Sequence, residues 1–154
     1  MHIRLPDATT TIADGAFAYC TSLESVEAPL VTSIGTQAFY GCSLLRTVYA
    51  PLLTSISSES FYRCTSLQSV NMSLLTSIGY SAFYSCTSLL HVHAPLLTSI
   101  SSDSFYKCTS LHSVNTSLVT SIGYEAFDSC SSLQNVYAPR LTRIDVFGFY
   151  RCTS

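Results

Sequence analysis

The sequence predicts a β-rich solenoid of seven 22-residue coils, because three residue types recur at one fixed interval along its 154 residues. Cysteine, isoleucine and phenylalanine each step by 22. A fixed period in the twenties is typical of solenoids, in which each repeat buries its apolar side only against its neighbours. The chain is therefore predicted to be a single repeat domain, 1–154, with coils at about 1–22, 23–44, 45–66, 67–88, 89–110, 111–132 and 133–154. The cysteines are Cys20, Cys42, Cys64, Cys86, Cys108, Cys130 and Cys152.

The first half of each coil follows the spacing Leu-x-x-Val-x-Ala, as at Leu23, Val26 and Ala28, with Pro29 next. Alternation around the valine predicts a short β-strand with one face toward the core. Because neighbouring strands lie about 4.8 Å apart, the copies of this strand are expected to form a parallel ladder.

The first coil departs from this pattern. Residues 1–5 are predicted to be a degenerate strand that ends at Pro6, because proline cannot donate to a strand ladder. One extra residue precedes the second strand, so counting back by 22 from Val26 puts Arg4, and not Ile3, in the valine position. By the same count Met1 takes the leucine position.

The second half of each coil reads Leu-Thr-Ser-Ile, which predicts a short second strand, and continues through a turn to Phe-Tyr-x-Cys. Glu59 stands four residues before Arg63, as Asp103 does before Lys107. This spacing favours one helical or 3₁₀ turn per coil. The position after the isoleucine alternates between glycine and serine, which indicates a repeating unit of two coils, 44 residues. The alternating residues are Gly35, Ser57, Gly79, Ser101 and Gly123.

Like residues of successive coils should stack into ladders that make the core. The predicted ladder residues include Ile34, Phe39, Cys42, Ile78, Phe83 and Cys86. Seven thiols at one repeat position permit two interpretations: disulfides or a metal site, and a column of buried thiols. We favour the second, because cysteine packs as a small apolar residue and identical stacked positions rarely offer disulfide geometry. The sequence contains no Cys-x-x-Cys pair, so neither zinc nor another cofactor is predicted.

Composition limits the class of partner. Only 10% of the residues are charged and the net charge is −2, so the chain lacks the basic excess expected of a protein that binds nucleic acid or an anionic membrane. No apolar run approaches the roughly 18 residues of a membrane span. The first six residues contain no apolar stretch of the kind found in a signal peptide.

The run at 75–89 reads Leu-Thr-Ser-Ile-Gly-x-x-Ala-Phe-x-x-Cys-x-Ser-Leu and resembles the BspA-like branch of the leucine-rich repeats. The likeness covers essentially the whole chain. It implies a leucine-rich-repeat solenoid of the kind found in cell-surface and secreted proteins of bacteria and some protists, often linked to adhesion. It implies an extracellular or cell-surface location and provides no catalytic residues to carry over.

The predicted outward positions of the first strand supply the candidate functional residues. Candidates for a binding face are Tyr49, His91, His93 and Tyr137, and candidates for N-glycosylation are Asn71 and Asn115, each of which begins an Asn-x-Ser sequon. His91, His93 and His112 form a local cluster that could bind a metal, but we interpret them as surface residues because no acidic ligand occupies adjacent strands. A second column of tyrosines, from Tyr40 to Tyr150, is interpreted as half-buried packing.

Two non-catalytic functions fit these features. The first is a structural protein that associates head to tail into a fibre or adhesive layer, since an uncapped solenoid end exposes apolar core and an open strand edge. The residues expected at that interface are Met1, Ile3, Leu5, Phe149 and Cys152. The alternative is a monomeric adhesin or recognition module that binds a protein or glycan. An enzyme is not predicted, because catalysis needs one asymmetric constellation and the repeat offers many equivalent positions.

Overall fold

A computed structural model describes residues 1–153 and shows a parallel β-solenoid in which each coil contributes two short strands. The front strands are β1 (His2–Arg4), β3 (Ser25–Glu27), β5 (Thr47–Tyr49), β7 (Ser69–Val70), β9 (His91–His93), β11 (Ser113–Asn115) and β13 (Asn135–Tyr137). The side strands are β2 (Thr11–Ile12), β4 (Ser33–Ile34), β6 (Ser55–Ile56), β8 (Ser77–Ile78), β10 (Ser99–Ile100), β12 (Ser121–Ile122) and β14 (Arg143–Ile144). The predicted solenoid, with its strand ladder and short second strand, is confirmed.

Both rows of strands pair in parallel with the same strand of the next coil. Each row forms a four-stranded sheet followed by a three-stranded sheet, so the ladder is interrupted between the fourth and fifth coils. Met72 lies at this break, buried in the position that Ala50 and Ala94 hold in the adjacent coils. The larger methionine side chain thus coincides with the loss of strand pairing between β7 and β9.

The register of the first coil differs from the one that counting by 22 predicts. Ile3 pairs with Val26 and Arg4 pairs with Glu27, so Ile3 occupies the valine position and the assignment of Arg4 to it was wrong. The extra residue lies in the loop between β1 and β2, which leaves the strand free to turn its apolar residue inward. A one-residue shift would have placed the Arg4 guanidinium in the core.

The predicted helical or 3₁₀ turn was also wrong, since residues 1–153 contain no helix. Glu59 and Arg63 both have left-handed backbone conformations, with φ of 55° and 57°. Their four-residue spacing therefore marks two tight turns and not a helical pair. Between these residues alternate amides point at the next coil: the N–H groups of Glu59, Phe61 and Arg63 donate to the carbonyls of Tyr80, Ala82 and Tyr84 at 2.9, 2.8 and 2.8 Å.

Aromatic rings stack along the centre of the solenoid. The seven phenylalanines spaced 22 residues apart, from Phe17 to Phe149, have neighbouring ring centroids 5.1–5.4 Å apart and planes within 10° of each other. The rings therefore keep nearly the same orientation from one coil to the next. Alongside these rings lie the other ladder residues. Ile34, Phe39, Cys42, Ile78, Phe83 and Cys86 are all at most 5% exposed.

The cysteine column is held by hydrogen bonds and not by disulfides. All seven cysteines are free thiols. From the second coil onward, each Sγ lies 3.0–3.2 Å from the carbonyl oxygen of the phenylalanine 25 residues earlier, as Cys86 Sγ does from Phe61 O at 3.1 Å. Burial raises the pKa of the Cys86 thiol, so it remains a neutral donor. The column therefore satisfies backbone acceptors inside the core.

The alternation of glycine and serine has a steric cause. A Cβ built at Gly79 would overlap the backbone nitrogen of Ser58 in the preceding coil. In the complementary coil the fully buried Ser60 hydroxyl lies 2.8 Å from the carbonyl oxygen of Gly35 and 2.7 Å from that of Ser57. Close backbone approach and a buried hydroxyl thus alternate from coil to coil, in keeping with a 44-residue unit.

We expect Gly79→Ala to lower the free energy of unfolding by about 3 kcal/mol, the upper part of the range for overpacking, because backbone atoms cannot move aside as a flexible side chain can. Ser57→Ala is the matched control, since this position already carries a Cβ, and it should change stability by less than about 0.5 kcal/mol. Chemical denaturation followed by circular dichroism measures both. Equal stabilities of the two variants would contradict the close approach at Gly79.

Candidate functional site

The front strands present two rows of side chains to solvent, because the residues on either side of the central valine point away from the core. We call the surface made by these rows the strand face. The rows are two residues apart along each strand, about 6.7 Å. The leading row is His2, Ser25, Thr47, Ser69, His91, Ser113 and Asn135. The trailing row is Arg4, Glu27, Tyr49, Asn71, His93, Asn115 and Tyr137.

The structure places all four binding-face candidates on the strand face. Tyr49 and Tyr137 are 57% and 58% exposed, which is high for aromatic side chains. His91 lies in the leading row and His93 in the trailing row, and both are exposed. These side chains therefore lie outside the core, where a partner could contact them.

The histidine cluster forms a pair and not a chelate. His91 Nδ1 lies 2.9 Å from Ser113 Oγ, and the rings of His91 and His112 are 6.3 Å apart at a tilt of 50°. His112 Nδ1 is 2.6 Å from the Ser110 carbonyl oxygen. Over residues 1–153, no group of three or more His, Cys, Asp or Glu side chains is arranged to hold a metal ion.

Sequence reasoning missed a depression on the strand face of the first three coils. It has a volume of about 490 Å³ and is lined by His2, Ser25, Val26, Glu27, Thr47 and Tyr49. His2 Nδ1 contacts Ser25 Oγ, while His2 Nε2 and Arg4 Nε each lie 3.6 Å from a different oxygen of the Glu27 carboxylate. These 3.6 Å separations exceed hydrogen-bond length, so the residues do not form a hydrogen-bonded Ser-His-Glu relay. One available signal was that Glu27 is the one acidic residue in the trailing row.

The two sequons differ in local geometry although both asparagines are exposed. Asn71 Oδ1 accepts hydrogen bonds from the Ser73 amide at 3.0 Å and from the Ser73 hydroxyl at 2.5 Å, which makes an Asx turn. After Asn115, the middle residue Thr116 is buried and its hydroxyl donates to the Tyr137 carbonyl at 3.3 Å. The hydroxyl of the sequon serine is thus already oriented toward the asparagine in the first case.

The second tyrosine column lies on another side of the solenoid and is packed within itself. Rings from Tyr40 to Tyr106 are half-buried and stack with centroids 4.6–4.8 Å apart. The stack stops at Asp128, a buried residue in the tyrosine position. Burial, with smaller contributions from the adjacent phenols, raises the pKa of Tyr84 to about 12.

The residues proposed for an end-to-end interface lie at the two ends of the described chain. Ile3, Leu5, Phe149 and Cys152 are partly buried against the core. Met1 is 51% exposed, and its carbonyl accepts from the Glu24 amide at 2.7 Å. Met1 is therefore aligned with Glu24, and its assignment to the leucine position was wrong for the same reason as that of Arg4.

The family follows from this geometry together with comparisons to known proteins. A model described as "BspA type Leucine rich repeat region" matches in six copies over residues 1–112 and 98–154. The chain belongs to the BspA-type leucine-rich repeat family. No curated protein sequence matches it.

Three solved structures resemble this BspA-type solenoid closely. A leucine-rich repeat protein of T. pallidum is 31% identical with a TM-score of 0.86, over 97% of this chain and 77% of that one. A leucine-rich cell surface protein of Faecalibacterium prausnitzii A2-165 is 29% identical with a TM-score of 0.81, over 98% and 45%. A leucine-rich repeat protein of Bacteroides ovatus is 31% identical with a TM-score of 0.78, over 92% and 41%.

The BspA-type chain thus spans less than half the length of two of these three neighbours. Within the part of the chain that the structure describes, no helix is long and apolar enough to cross a membrane.

Alkaline pH should weaken the tyrosine stack. The pKa of Tyr84 is raised from its ordinary value of 10 to about 12, so the folded chain retains a proton that the unfolded chain loses. This contribution is complete below the unfolded pKa and is lost as pH rises through the folded pKa, so stability should fall between about pH 10 and pH 12. Denaturant titrations across this range should show a shallower decline for Tyr84→Phe.

The matched control for this measurement is Tyr137→Phe, whose phenol is exposed on the strand face. It should keep the wild-type dependence on pH. An identical slope for Tyr84→Phe and wild type would exclude the Tyr84 contribution.

Proposed function

We propose that this chain is a non-catalytic recognition scaffold that works at the cell surface or outside the cell and contacts a protein or glycan through the strand face. The observation that carries the proposal is the high exposure of Tyr49 and Tyr137 on the strand face. The strand ladder holds such side chains in fixed relative positions, so less conformational entropy is lost on binding.

The chemistry of the strand face suits recognition. Tyrosine presents a large amphipathic surface at low entropic cost, and Ser and Asn adapt their hydrogen bonds to a partner. The chain has few charges, with a net charge of −2, so contact area and hydrogen bonds rather than long-range attraction would supply the affinity. A repeated surface of this kind offers many similar contacts and no catalytic constellation, which supports a binding role over an enzymatic one.

The surface location rests on the family and on its neighbours. The Faecalibacterium prausnitzii protein, 29% identical, is described as a cell surface protein. The same location would expose Asn71 and Asn115 to N-glycosylation in a host that performs it. Of the two, Asn71 is the better acceptor candidate because its Asx turn already orients the serine hydroxyl.

The strand-face proposal predicts that the double variant His93→Ala, Tyr137→Ala binds at least ten-fold more weakly than wild type, since both residues are exposed and carry no core contacts. Biolayer interferometry of the full chain against a panel of extracellular-matrix proteins and immobilised glycans would measure the loss. Tyr124→Ala is the control, an exposed tyrosine away from the strand face. Equal affinity of all three proteins for every ligand that wild type binds would contradict the proposal.

A second candidate function is head-to-tail self-association into a structural fibre. In the chain as described, the last coil exposes an apolar surface made of Val136, Ile144, Val146 and Phe147, between 38% and 64% exposed. In the first coil, the apolar residues Ile3 and Leu5 are partly buried against the core. A contact that joins these two unlike ends does not close on itself and would propagate.

We expect light scattering across a concentration series to show growing particles, and electron microscopy to show filaments with an axial repeat of roughly 34 Å, seven coils at about 4.8 Å. Val146→Glu should abolish growth by placing a charge in the interface. Leu74→Glu, which is exposed on the side of the solenoid, should not. A monomer at every concentration would rule out this second function and leave the recognition proposal untouched.

A further inference from the structure

We propose that the depression at the first three coils binds a neutral sugar ring of a glycan. The proposal rests on the recognition function of the strand face and deepens it by naming the ligand class and the residues. The volume of about 490 Å³ falls within the range of small-molecule sites and would accommodate one or two pyranose rings. The depression is open to solvent on the strand face, so a ring within a longer glycan chain can enter it.

The Glu27 carboxylate supplies the acceptors. Its two oxygens are 3.6 Å from His2 Nε2 and from Arg4 Nε, which is beyond the length of a direct hydrogen bond. Its lone pairs therefore remain available on the side that faces the depression. Two adjacent sugar hydroxyls can donate to the two oxygens, as a bidentate arrangement requires.

Donors and acceptors line the opposite wall. His2, Ser25 and Thr47 stand in the leading row, where the Ser25 hydroxyl contacts His2 Nδ1. The hydroxyls of Ser25 and Thr47 can each donate and accept, so they can match a hydroxyl of either orientation. Because Glu27 lies across from them, about two residues along β3, a ring placed between the rows meets polar groups on both edges.

Tyr49 supplies an apolar platform. Its ring is 57% exposed and borders the depression, and Val26 lies beneath. The C–H face of a pyranose is apolar while its edges carry hydroxyls, so it matches an aromatic face flanked by polar side chains. Packing of this kind buries area that the free protein leaves in water.

Two other ligand classes fit less well. An extended peptide would need a free strand edge or apolar side-chain pockets, but β3 is paired on both sides along the ladder. An anionic ligand would meet Glu27, and Arg4 is already 3.1 Å from Asp7 Oδ1. The neighbouring carboxylates thus offset the cation that an acidic sugar would need.

The chain contains a built-in comparison for this site. His91 pairs with Ser113 as His2 pairs with Ser25, but Asn115 takes the place of Glu27 in that coil. The imidazole–hydroxyl pair is therefore repeated without the carboxylate. If the carboxylate recognises vicinal hydroxyls, only the first of these two positions should bind a sugar strongly.

The test uses the full chain labelled with ¹⁵N and titrated with methyl glycosides of glucose, galactose, mannose and N-acetylglucosamine, followed by NMR chemical shifts. At least one glycoside should shift the amides of residues 25, 27, 47 and 49 with saturation. Glu27→Gln, a substitution of the same shape at a surface position, should weaken binding at least ten-fold, and Tyr49→Ala should do the same. The control Tyr124→Ala, at an exposed tyrosine away from the strand face, should retain wild-type affinity, and matching thermal melts would show that each variant is folded.

Absence of saturable shifts with all four glycosides, or unchanged affinity of Glu27→Gln, would overturn the proposal. Tighter binding of glucuronate than of methyl glucoside would also overturn it, since it would show that Arg4 selects an anion. The strand-face function is judged separately by His93→Ala, Tyr137→Ala: if that variant loses its ligand while Glu27→Gln does not, the recognition proposal stands and the sugar site falls.

Discussion

The structure depends on the stacking of each coil on an identical one at the spacing of neighbouring β-strands, about 4.8 Å. The seven phenylalanines spaced 22 residues apart, from Phe17 to Phe149, each rest on the ring of the neighbouring coil, with centroids 5.1–5.4 Å apart. A single coil of 22 residues would bury little apolar surface against the roughly 1–2 kcal/mol of entropy lost per ordered backbone residue. Stability is therefore a property of the interfaces between coils, and the sequence period is the condition that lets those interfaces form.

The same stacking determines where hydrogen bonds go. In the turn segments, left-handed residues such as Glu59 and Arg63 rotate alternate amides toward the next coil, which leaves too few for a helix. Side chains also form hydrogen bonds between coils, but toward the preceding one. Thr54 Oγ1 donates to the Thr32 carbonyl at 3.1 Å and Cys86 Sγ to the Phe61 carbonyl at 3.1 Å, each in the preceding coil. The abundance of Thr and the repeated Cys thus reflect backbone carbonyl acceptors that recur at each coil.

The fold was predictable from the sequence because a constant period leaves no freedom in which residues stack. The turns were not, because a spacing of four residues fits both a helical pair and two left-handed positions, and only contacts with the neighbouring coil distinguish them. The predicted register of β1 against β3 was wrong for a related reason. The sequence does not show whether the extra residue lies within the strand or in the loop that follows it. Burial of Ile3 in place of Arg4 puts the extra residue in the loop. With Arg4 assigned inward, its approach to the Glu27 carboxylate could not be foreseen.

A repeated scaffold also indicates where specificity has to arise. Residues that maintain the stack recur in every coil and so cannot distinguish one part of the surface from another. Departures from the repeat can: Met72 at the break in the ladder, Asp128 at the end of the tyrosine stack, and Glu27, the one acidic residue of the trailing row. Of these three, Met72 and Asp128 are buried and act on the packing of their own coils. Glu27 alone meets solvent beside a depression, and its carboxylate has neighbours that orient it without occupying its lone pairs. The first three coils are therefore the part of the strand face where the structure best supports contact with a specific ligand.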